Sequence, residues 1–343
     1  MGDEPVFLAG GRVARGLREV SSDPAALDRP GFWAVQASFE GEFICARFGE
    51  VTPYRPATTR PWRGPAPQEW QSSLDRVAYV HAVSLIRDRI AAGEVYQTNL
   101  CRVLSAPLPE PAAADVMALW QALERGNPAP YSAALRLPDH GVQVACASPE
   151  LFVRRSGATV ESGPIKGTAR FAGGLSDKDR AENVMIVDLV RNDLGRICAT
   201  GSVTVPELCA EQAHPGLVHL VSTVRGRLAP GTSWSELMAA TFPPGSVSGA
   251  PKAAALSLIR ELEPVPRGPY CGALGWVDSR RGSACLAVGI RTFWITDDRL
   301  HFGTGAGITW GSDPEAEWLE TELKARRLLS LAAGSAELTG AAR

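Results

Sequence analysis

The chain has 343 residues, of which 45% are hydrophobic and 21% charged, and its formal net charge is −2. This composition is typical of a globular protein that forms one large domain or two small ones around a sizeable core. A nearly neutral chain without a basic block disfavours nucleic acid and anionic membranes as partners.

The sequence shows no targeting pattern and no zinc-binding pattern. The N-terminal segment MGDEPVFLAGG lacks a basic region followed by an apolar core, and no apolar run reaches the roughly eighteen residues of a membrane span. We therefore expect a cytoplasmic protein. The seven cysteines are far apart without a CxxC pair, and the five histidines lack HxxxH spacing, which indicates reduced core thiols and no zinc site.

Residues 1–67 are expected to form a short, strand-rich N-terminal region that ends in a linker. The segments FWAVQASF and EFICARF are typical of strands, whereas residues 52–67 carry five prolines and three arginines without apolar periodicity. Residues 68–333 are then the main domain, and residues 334–343 a frayed tail.

Helices are predicted where apolar residues recur at helical spacing. The first runs from Leu74 to Ala92 and stops at Gly93, a common C-terminal residue. A last helix begins near Pro314 with Asp313 as its N-cap. Three more helices are predicted over residues 177–196, 235–241 and 251–262.

Alternating segments predict strands. Tyr131–Leu137 and Val142–Ala147 flank the turn PDHG and indicate a hairpin. Further strands are predicted at VYQTNLCRVL, SVTVPEL, LVHLVSTVRGRL, YCGALGWVD and CLAVGIRTFWITDDRLHFGTG. Because hairpins occur in groups with helices between the groups, the pattern favours an α+β fold over a doubly wound sheet.

Two predicted helices each carry a pair of carboxylates three residues apart. These are Asp179 with Glu182, and Glu317 with Glu320. Such spacing places both members of a pair on one helix face, and converging faces would suit Mg²⁺, a hard ion with oxygen ligands. Taken alone, each pair is more often a solvated helix face than a metal site.

Three glycine-bearing segments predict turns: PPGSVSGAPK, GTGAGITWGS and GPIKGT. Backbone N–H groups at such turns bind carboxylate or phosphate, although neither glycine-rich turn has the order of a phosphate loop. In the third turn, Lys166 could be a solvated residue, an anion contact or a nucleophilic amine. Glu150, at the end of a predicted strand, could be an acid or base or a solvated carboxylate.

Nine segments between about Gly93 and Leu329 together resemble the chorismate-utilising enzymes, and among them the aminodeoxychorismate synthases. In chain order they are GEVYQTNLCR, ASPELF, GPIKGTAR, AENVMIVDLVRNDLGR, VHLVST, FPPGSVSGAPK, VGIRTF, GAGI and EAEWLETELK. The resemblance implies two layered antiparallel sheets with helices outside and the active site between them. It also implies amination of chorismate to 4-amino-4-deoxychorismate, toward 4-aminobenzoate and folate or toward a secondary metabolite.

The resemblance implies catalytic roles for three residues. Anthranilate, isochorismate and salicylate synthases commonly carry alanine at the position of Lys166; in the aminodeoxychorismate synthases this lysine attacks ring carbon 2 and ammonia then adds at carbon 4. Glu150 would be the general acid and then the base, and His219 would lie beside carbon 4. Gln97 stands where isochorismate and salicylate synthases have a lysine that activates water, which a glutamine cannot do.

The resemblance also implies binding roles. Glu182 and Glu320 resemble direct Mg²⁺ ligands, while Asp179 and Glu317 resemble water-mediated partners, although glutamate is usual at position 179. The implied substrate-binding residues are Arg291, Lys324, Tyr270, Gln97, Thr168, Gly305, Ala306 and Gly307.

Because the chain has no GxCxG nucleophile turn with a downstream HxE, the resemblance implies a separate glutamine amidotransferase subunit as the source of ammonia. Three alternatives stay open: anthranilate synthase component I, another chorismate aminase, and a chorismate-binding subunit without turnover. The short N-terminal region shows no counterpart of a tryptophan site, and none is predicted.

Overall fold

The computed structural model describes residues 4–56, 61–169, 171, 173–214 and 217–334, which form 18 strands and six α-helices. The strands are β1 (Val6–Ala9), β2 (Arg12–Ser21), β3 (Phe32–Ala37), β4 (Phe43–Pro53), β5 (Gln71–Ser72), β6 (Gln97–Pro107), β7 (Tyr131–Leu137), β8 (Val142–Ser148), β9 (Leu151–Ser156), β10 (Thr159–Gly163), β11 (Ile165–Ala169), β12 (Thr204–His214), β13 (Leu217–Arg227), β14 (Gly249–Ala250), β15 (Ala273–Asp278), β16 (Ser283–Val288), β17 (Thr292–Thr296) and β18 (Arg299–Ile308). The helices are α1 (Arg76–Ala91), α2 (Val116–Gly126), α3 (Asp177–Gly195), α4 (Trp234–Thr241), α5 (Lys252–Leu262) and α6 (Pro314–Ala332).

The strands pair antiparallel and form one continuous sheet with two halves. One half runs from β12, β13 and β11 through β10, β9, β16, β15, β3 and β4 to β2. The other runs from β1 through β7, β8, β17 and β18 to β6. Only the β1–β2 hairpin joins the halves through described pairings. The predicted α+β class is confirmed, and the two predicted layers are halves of one sheet.

The main core lies between the two halves. Its largest buried cluster includes Leu135 and Val144 from one half and Val35 and Leu286 from the other. Because apolar side chains of both halves interdigitate there, their burial drives the sheet to close on itself. The N-terminal strands are part of the arrangement, since β1 pairs with β7 and β3 pairs with β15.

The helix ends follow the capping signals in the sequence. Asp313 caps α6 by accepting a hydrogen bond from Ala316 N at 2.9 Å, as predicted. The chain leaves α1 through Gly93, whose φ of +78° is readily adopted only by glycine. Helix α2, which was not predicted, packs on β7, β8 and α6. None of the helices in the described ranges is both long and apolar enough to cross a membrane.

Two of the predicted turns are strands. GPIKGT contributes to β11, which pairs with β13, and Gly303–Ile308 belong to β18, which pairs with β6. A Cβ atom on Gly305 would lie 2.6 Å from the carbonyl oxygen of Leu100, so close strand approach and not a turn requires this glycine. The predicted frayed tail lies beyond Gly334, outside the described residues.

Candidate active site

The candidate site lies where the far ends of the two sheet halves come together. Lys166 is on β11, at the end of one half, and Gln97 and Gly307 are on β6 and β18, at the end of the other. A Cβ atom on Gly307 would lie 3.3 Å from Nζ of Lys166 and 2.4 Å from Nε2 of Gln97. The absence of a side chain at Gly307 therefore leaves room for both groups.

Lys166 is held by the segment between α4 and α5. Its Nζ donates a hydrogen bond to the carbonyl oxygen of Ser246 at 3.1 Å, and Nδ2 of Asn99 donates to the same oxygen at 3.2 Å. Burial lowers the pKa of Lys166, although the negative charges of Glu182 and Glu150 oppose this change. Burial thus makes the neutral amine, the form that acts as a nucleophile, easier to form than it is for a solvated lysine.

Glu150 is a buried carboxyl beside this lysine. It lies between β8 and β9 and is only 4% exposed. Burial raises its pKa to about 7, while a hydrogen bond from the Ser246 side chain and the charge of Lys166 act in the opposite direction. A carboxyl with this pKa is populated in both forms near neutral pH, so it can donate and then accept a proton.

His219 is buried on β13, next to Leu220, which pairs with Lys166 on β11. Its own backbone partner on β11 is Thr168. The structure thus brings His219 beside the lysine-bearing strand. The side chain of Thr168 lies outside the described part of the chain.

Helices α3 and α6 bring three of the four predicted metal-binding carboxylates together with two lysines. Nζ of Lys178 lies 3.8 Å from Oε1 of Glu182 and 3.9 Å from Oε1 of Glu317, and thus links the two helices. Nζ of Lys324 lies 2.6 Å from Oε1 of Glu320. The predicted convergence of the two helices is therefore present.

The carboxylates in this cluster repel one another. Burial raises the pKa of Glu182 and of Glu317, and the negative charge of Glu320 raises both further. Burial also acts to raise the pKa of Glu320, but the ammonium groups of Lys324, Lys178 and Lys166 together outweigh it, and the pKa lies below its usual value. Partly buried oxygen donors with excess negative charge match the preferences of a hard divalent cation.

Asp179 has a structural role at the start of α3. Its Oδ2 accepts hydrogen bonds from the backbone N of Ser176 at 2.8 Å and from the Ser176 hydroxyl at 2.6 Å, which completes a capping box. Within the described ranges, no group of three carboxylate, histidine or cysteine side chains is already arranged for a metal ion. The lysine pairs occupy the predicted ligands instead.

Of the predicted substrate-binding residues, Lys324 contacts both Glu320 and β18, whereas none of the described contacts joins Arg291 or Tyr270 to Lys166 or Glu150. Nζ of Lys324 also donates to the carbonyl oxygen of Gly305 at 3.0 Å. Arg291 has a left-handed φ of +53°, and burial lowers the pKa of its guanidinium. Tyr270 packs directly over Gly303, where a Cβ atom would lie 2.0 Å from the tyrosine ring.

Gln97 offers an unused acceptor. It is fully buried, and its Nε2 donates weakly to Oδ1 of Asn99 at 3.4 Å. Its Oε1 has no hydrogen-bond partner among the described residues. A buried acceptor of this kind is costly unless a ligand satisfies it, which fits contact with a donor group of the substrate.

The sequence reasoning missed Ser246, Asn99 and Lys178. The first two lie inside FPPGSVSGAPK and GEVYQTNLCR, but Ser246 acts partly through its carbonyl oxygen, which every residue type has. Lys178 lies four residues before Glu182 on a predicted helix, and this spacing was the available signal for their ion pair.

The comparisons with known proteins agree with this geometry. The family model described as chorismate binding enzyme matches residues 45–330. Anthranilate synthase component 1 of Streptomyces coelicolor is 41% identical over 275 residues, which cover 77% of this chain and 53% of that protein. Aminodeoxychorismate synthase component 1 of Salmonella typhimurium is 38% identical over 296 residues, which cover 83% of this chain and 63% of that protein.

The fold matches solved structures along almost its full length. A putative 2,3-dihydroxybenzoate-specific isochorismate synthase, DhbC from Bacillus anthracis, superposes with a TM-score of 0.78 at 24% identity and covers 96% of each chain. By contrast, the chain spans between about half and two thirds of the length of the two curated relatives. The chain belongs to the family of chorismate binding enzymes.

Proposed function

We propose that the chain is a synthase subunit that converts chorismate and ammonia to 4-amino-4-deoxychorismate. The observation that carries this proposal is the placement of Lys166, whose Nζ lies 3.1 Å from the Ser246 carbonyl oxygen near Glu150, a carboxyl with a pKa of about 7. A nucleophilic amine and a proton donor of suitable pKa are the two groups that the reaction requires.

In the first step, the neutral Nζ of Lys166 attacks ring carbon 2 of chorismate. Both ring double bonds shift, from C1=C2 and C5=C6 to C1=C6 and C4=C5, and the bond between carbon 4 and its hydroxyl oxygen breaks. Protonated Glu150 gives its proton to the hydroxyl, which leaves as water. The lysine nitrogen is then a positively charged secondary amine bonded to carbon 2. Burial favours this step because it lowers the pKa of Lys166 and raises that of Glu150.

In the second step, ammonia attacks carbon 4. Both double bonds shift back, the bond between carbon 2 and the lysine nitrogen breaks, and Lys166 leaves as a neutral amine. The new ammonium group gives a proton to the Glu150 carboxylate, which restores the starting state. The balance is chorismate plus ammonia to aminodeoxychorismate plus water.

The substrate carboxylates would be bound by cations and backbone groups around the site. Arg291, Lys324 and the backbone of Gly305–Gly307 are the proposed contacts. Mg²⁺ would be held by Glu182 and Glu320, with Asp179 and Glu317 around them, and when bound it would offset the charge of a substrate carboxylate. His219 and Gln97 would face the ring.

The proposal includes a separate glutamine amidotransferase subunit that supplies ammonia, and a cytoplasmic location. The designation "component 1" in the names of the relatives supports a second component. The enzymes that act on the product determine whether it enters folate synthesis or the synthesis of a secondary metabolite.

Anthranilate synthesis is the second candidate, because the Streptomyces coelicolor relative with that name is 41% identical. Amination at carbon 2 requires no bond to Lys166. A chorismate-binding subunit without turnover is the third candidate, and it would bind chorismate without forming a product.

The test is product identification. The purified chain is incubated with chorismate, Mg²⁺ and ammonium at alkaline pH, and the products are separated and weighed by mass spectrometry. We expect aminodeoxychorismate from the wild type and none from Lys166→Ala, with Arg280→Ala as an exposed control that retains activity. Anthranilate from the wild type would support the second candidate, and bound but unchanged chorismate would support the third.

A further inference from the structure

A groove of about 690 Å³ lies outside the candidate active site. It is lined by the segment between β3 and β4, by α4 and the residues that follow it, and by α5 and the residues that follow it. None of its lining residues belongs to the chorismate site proposed above. Its volume is within the range of about 300–1,000 Å³ that is typical of small-molecule sites.

The wall of the groove is aromatic and apolar. The rings of Phe43 and Phe242 lie 5.5 Å apart between centroids, and the Arg267 guanidinium lies 4.2 Å from the centroid of Phe39. Met238 and Ile259 complete the apolar surface. Such a wall favours a flat aromatic ligand, because three phenylalanine rings offer edges and faces to an additional ring.

Among the charged side chains that line the groove, one has no ion-pair or hydrogen-bond partner in the described residues. The Glu40 carboxylate accepts hydrogen bonds from the backbone N of Arg267 at 2.8 Å and of Gly268 at 3.2 Å. Glu263 and Arg267 form a buried ion pair with an N–O distance of 2.6 Å. Arg260 is exposed and makes no ion pair or hydrogen bond with any residue in the described ranges. The free charge at the groove is therefore positive.

We propose that this groove binds a small aromatic carboxylate, with its ring against the phenylalanine side chains and its carboxylate at Arg260. A guanidinium binds a carboxylate through two parallel hydrogen bonds, whereas a neutral ligand of the same shape gains only the apolar contacts.

The groove is connected to the segment that holds Lys166. Phe242 and Pro243 line the groove and lead directly into Ser246. Arg267 also lines the groove, and its guanidinium donates to the carbonyl oxygens of Val247 at 2.8 Å and of Asn99 at 3.1 Å. A ligand that touches Phe242 and Arg267 therefore contacts two residues that position Ser246, whose carbonyl oxygen accepts the hydrogen bond from Lys166. Such a ligand changes the rate of the reaction. This second part rests on the proposed function.

The site is tested by calorimetric titration of the purified chain with 2-naphthoate, in the presence of saturating chorismate and without ammonia. We expect saturable one-to-one binding that is abolished by Ala239→Trp, which fills the groove. Arg260→Gln should weaken binding about three- to fivefold, as expected for loss of one exposed ion pair. Arg280→Gln, an exposed arginine outside the groove, should leave the affinity unchanged, and 2-naphthamide should bind more weakly than 2-naphthoate.

Absence of saturable binding, or equal binding to Ala239→Trp, would overturn the site. Equal affinity for 2-naphthoate and 2-naphthamide would overturn the role of Arg260. For the second part, 2-naphthoate should change chorismate turnover in the wild type and not in Ala239→Trp; binding without any change would overturn the coupling alone. If the wild type does not turn over chorismate at all, the proposed function fails while the titration still tests the groove.

Discussion

Burial of Glu150 makes the stability of the protein depend on pH. The pKa of this carboxyl rises from 4.5 to about 7 in the folded chain, so the folded state binds the proton more tightly than the unfolded state does. The stabilisation linked to the bound proton is complete below about pH 4.5 and is lost as the pH rises through 7. At alkaline pH the folded state therefore contains a buried carboxylate, which lowers the stability of the protein but is available for the reaction.

We predict that Glu150→Gln stabilises the protein at alkaline pH. The amide is neutral at every pH, so the substitution should raise the free energy of unfolding by up to about 3 kcal/mol at pH 8.5, an order-of-magnitude value from the size of the pKa shift. The gain should vanish near pH 4. Urea unfolding at pH 8.5 and at pH 4 measures the change in the free energy of unfolding. An equal change at the two pH values would show that proton binding is not the cause.

We predict that Ser246→Ala moves the pH profile of the reaction. The hydroxyl of Ser246 lowers the pKa of Glu150, so its loss should raise that pKa by about 0.5–1 unit and shift the alkaline limb of kcat/KM for chorismate upward. The carbonyl oxygen that holds Lys166 is retained. The value of kcat/KM is measured with the same concentration of free ammonia at every pH.

Ser248→Ala is the matched control for this profile. The Ser248 hydroxyl is also buried but donates to the carbonyl oxygen of Pro244 at 3.1 Å. Its removal should leave the alkaline limb in place. The same shift in both variants would mean that the segment as a whole, and not the hydrogen bond to Glu150, sets the profile.

The residues of the site were predictable only through their motifs. Lys166 and Glu150 were chosen because nine segments together resemble a family, since a single lysine or glutamate has several ordinary roles. The structure adds the causes of their pKa shifts, namely burial and the hydrogen bond from Ser246. Burial depends on contacts between residues far apart in sequence, which periodicity does not reveal.

At the scale of elements, the pairing of β18 with β6 decides how close the two sheet ends approach. Gly307 faces Gln97 and Lys166 without a side chain. The sequence reading interpreted this glycine as part of a turn, because glycine in turns and glycine at close strand contacts look the same in a sequence.

We predict that Gly307→Ala reduces turnover by at least about tenfold while the protein remains folded. The new Cβ would displace Nε2 of Gln97, which lies 2.4 Å away, and would press on Nζ of Lys166 at 3.3 Å. Because both are ends of flexible side chains, we expect a cost in stability of only about 1–2 kcal/mol. Turnover and thermal unfolding measured on the same preparation separate the two effects.

Gly311→Ala provides the control for this substitution. A Cβ atom there would have no heavy atom within 4 Å. Its turnover and unfolding should match the wild type. If Gly307→Ala also retained full turnover, the close approach of β18 to Lys166 would have no functional role.

Other elements show where local signals succeed and fail. The β7–β8 hairpin and the Asp313 cap of α6 were predicted because turn and capping residues act locally. Helix α2 was missed although Asp115 caps it by accepting from Met117 N at 3.0 Å. Its six buried positions lie opposite Gln121, Glu124 and Arg125, so the helical periodicity of the segment was an available signal that the sequence analysis did not use.

At the scale of the whole molecule, the two sheet halves are brought together by contacts that are distant in sequence. The α+β class follows from the order of hairpins and helices, and it was predicted. The connection through β1 and β2, the only one among the described strand pairings, was not predicted. It depends on the pairing of β1 with β7, and partners more than a hundred residues apart leave no local pattern.

Among these long-range contacts is a partly buried ion pair between α3 and α5. Nζ of Lys252 lies 2.6 Å from Oδ2 of Asp193 and donates to the carbonyl oxygen of Thr241 at 3.2 Å. We predict that Lys252→Met costs roughly 3 kcal/mol of unfolding free energy, because it leaves the Asp193 charge buried without a partner. Denaturant unfolding at pH 7.5 measures the cost.

The double variant Lys252→Met with Asp193→Leu tests the reason for this cost. It removes both charges, so it should be clearly more stable than Lys252→Met alone. A double variant that is less stable than the single variant would show that packing, and not the unpaired charge, accounts for the loss.

The proposed reaction requires that Lys166 bonds covalently to the substrate. The most direct measurement is the intact mass of the protein after rapid acid quench from a mixture with chorismate and Mg²⁺ but without ammonia. We predict an increase equal to chorismate minus water, located on Lys166 by peptide mapping, absent in Lys166→Arg and lost when ammonium is added before the quench. Aminodeoxychorismate formation by Lys166→Ala at the wild-type rate, with no adduct on the wild type, would show that Lys166 is not the nucleophile.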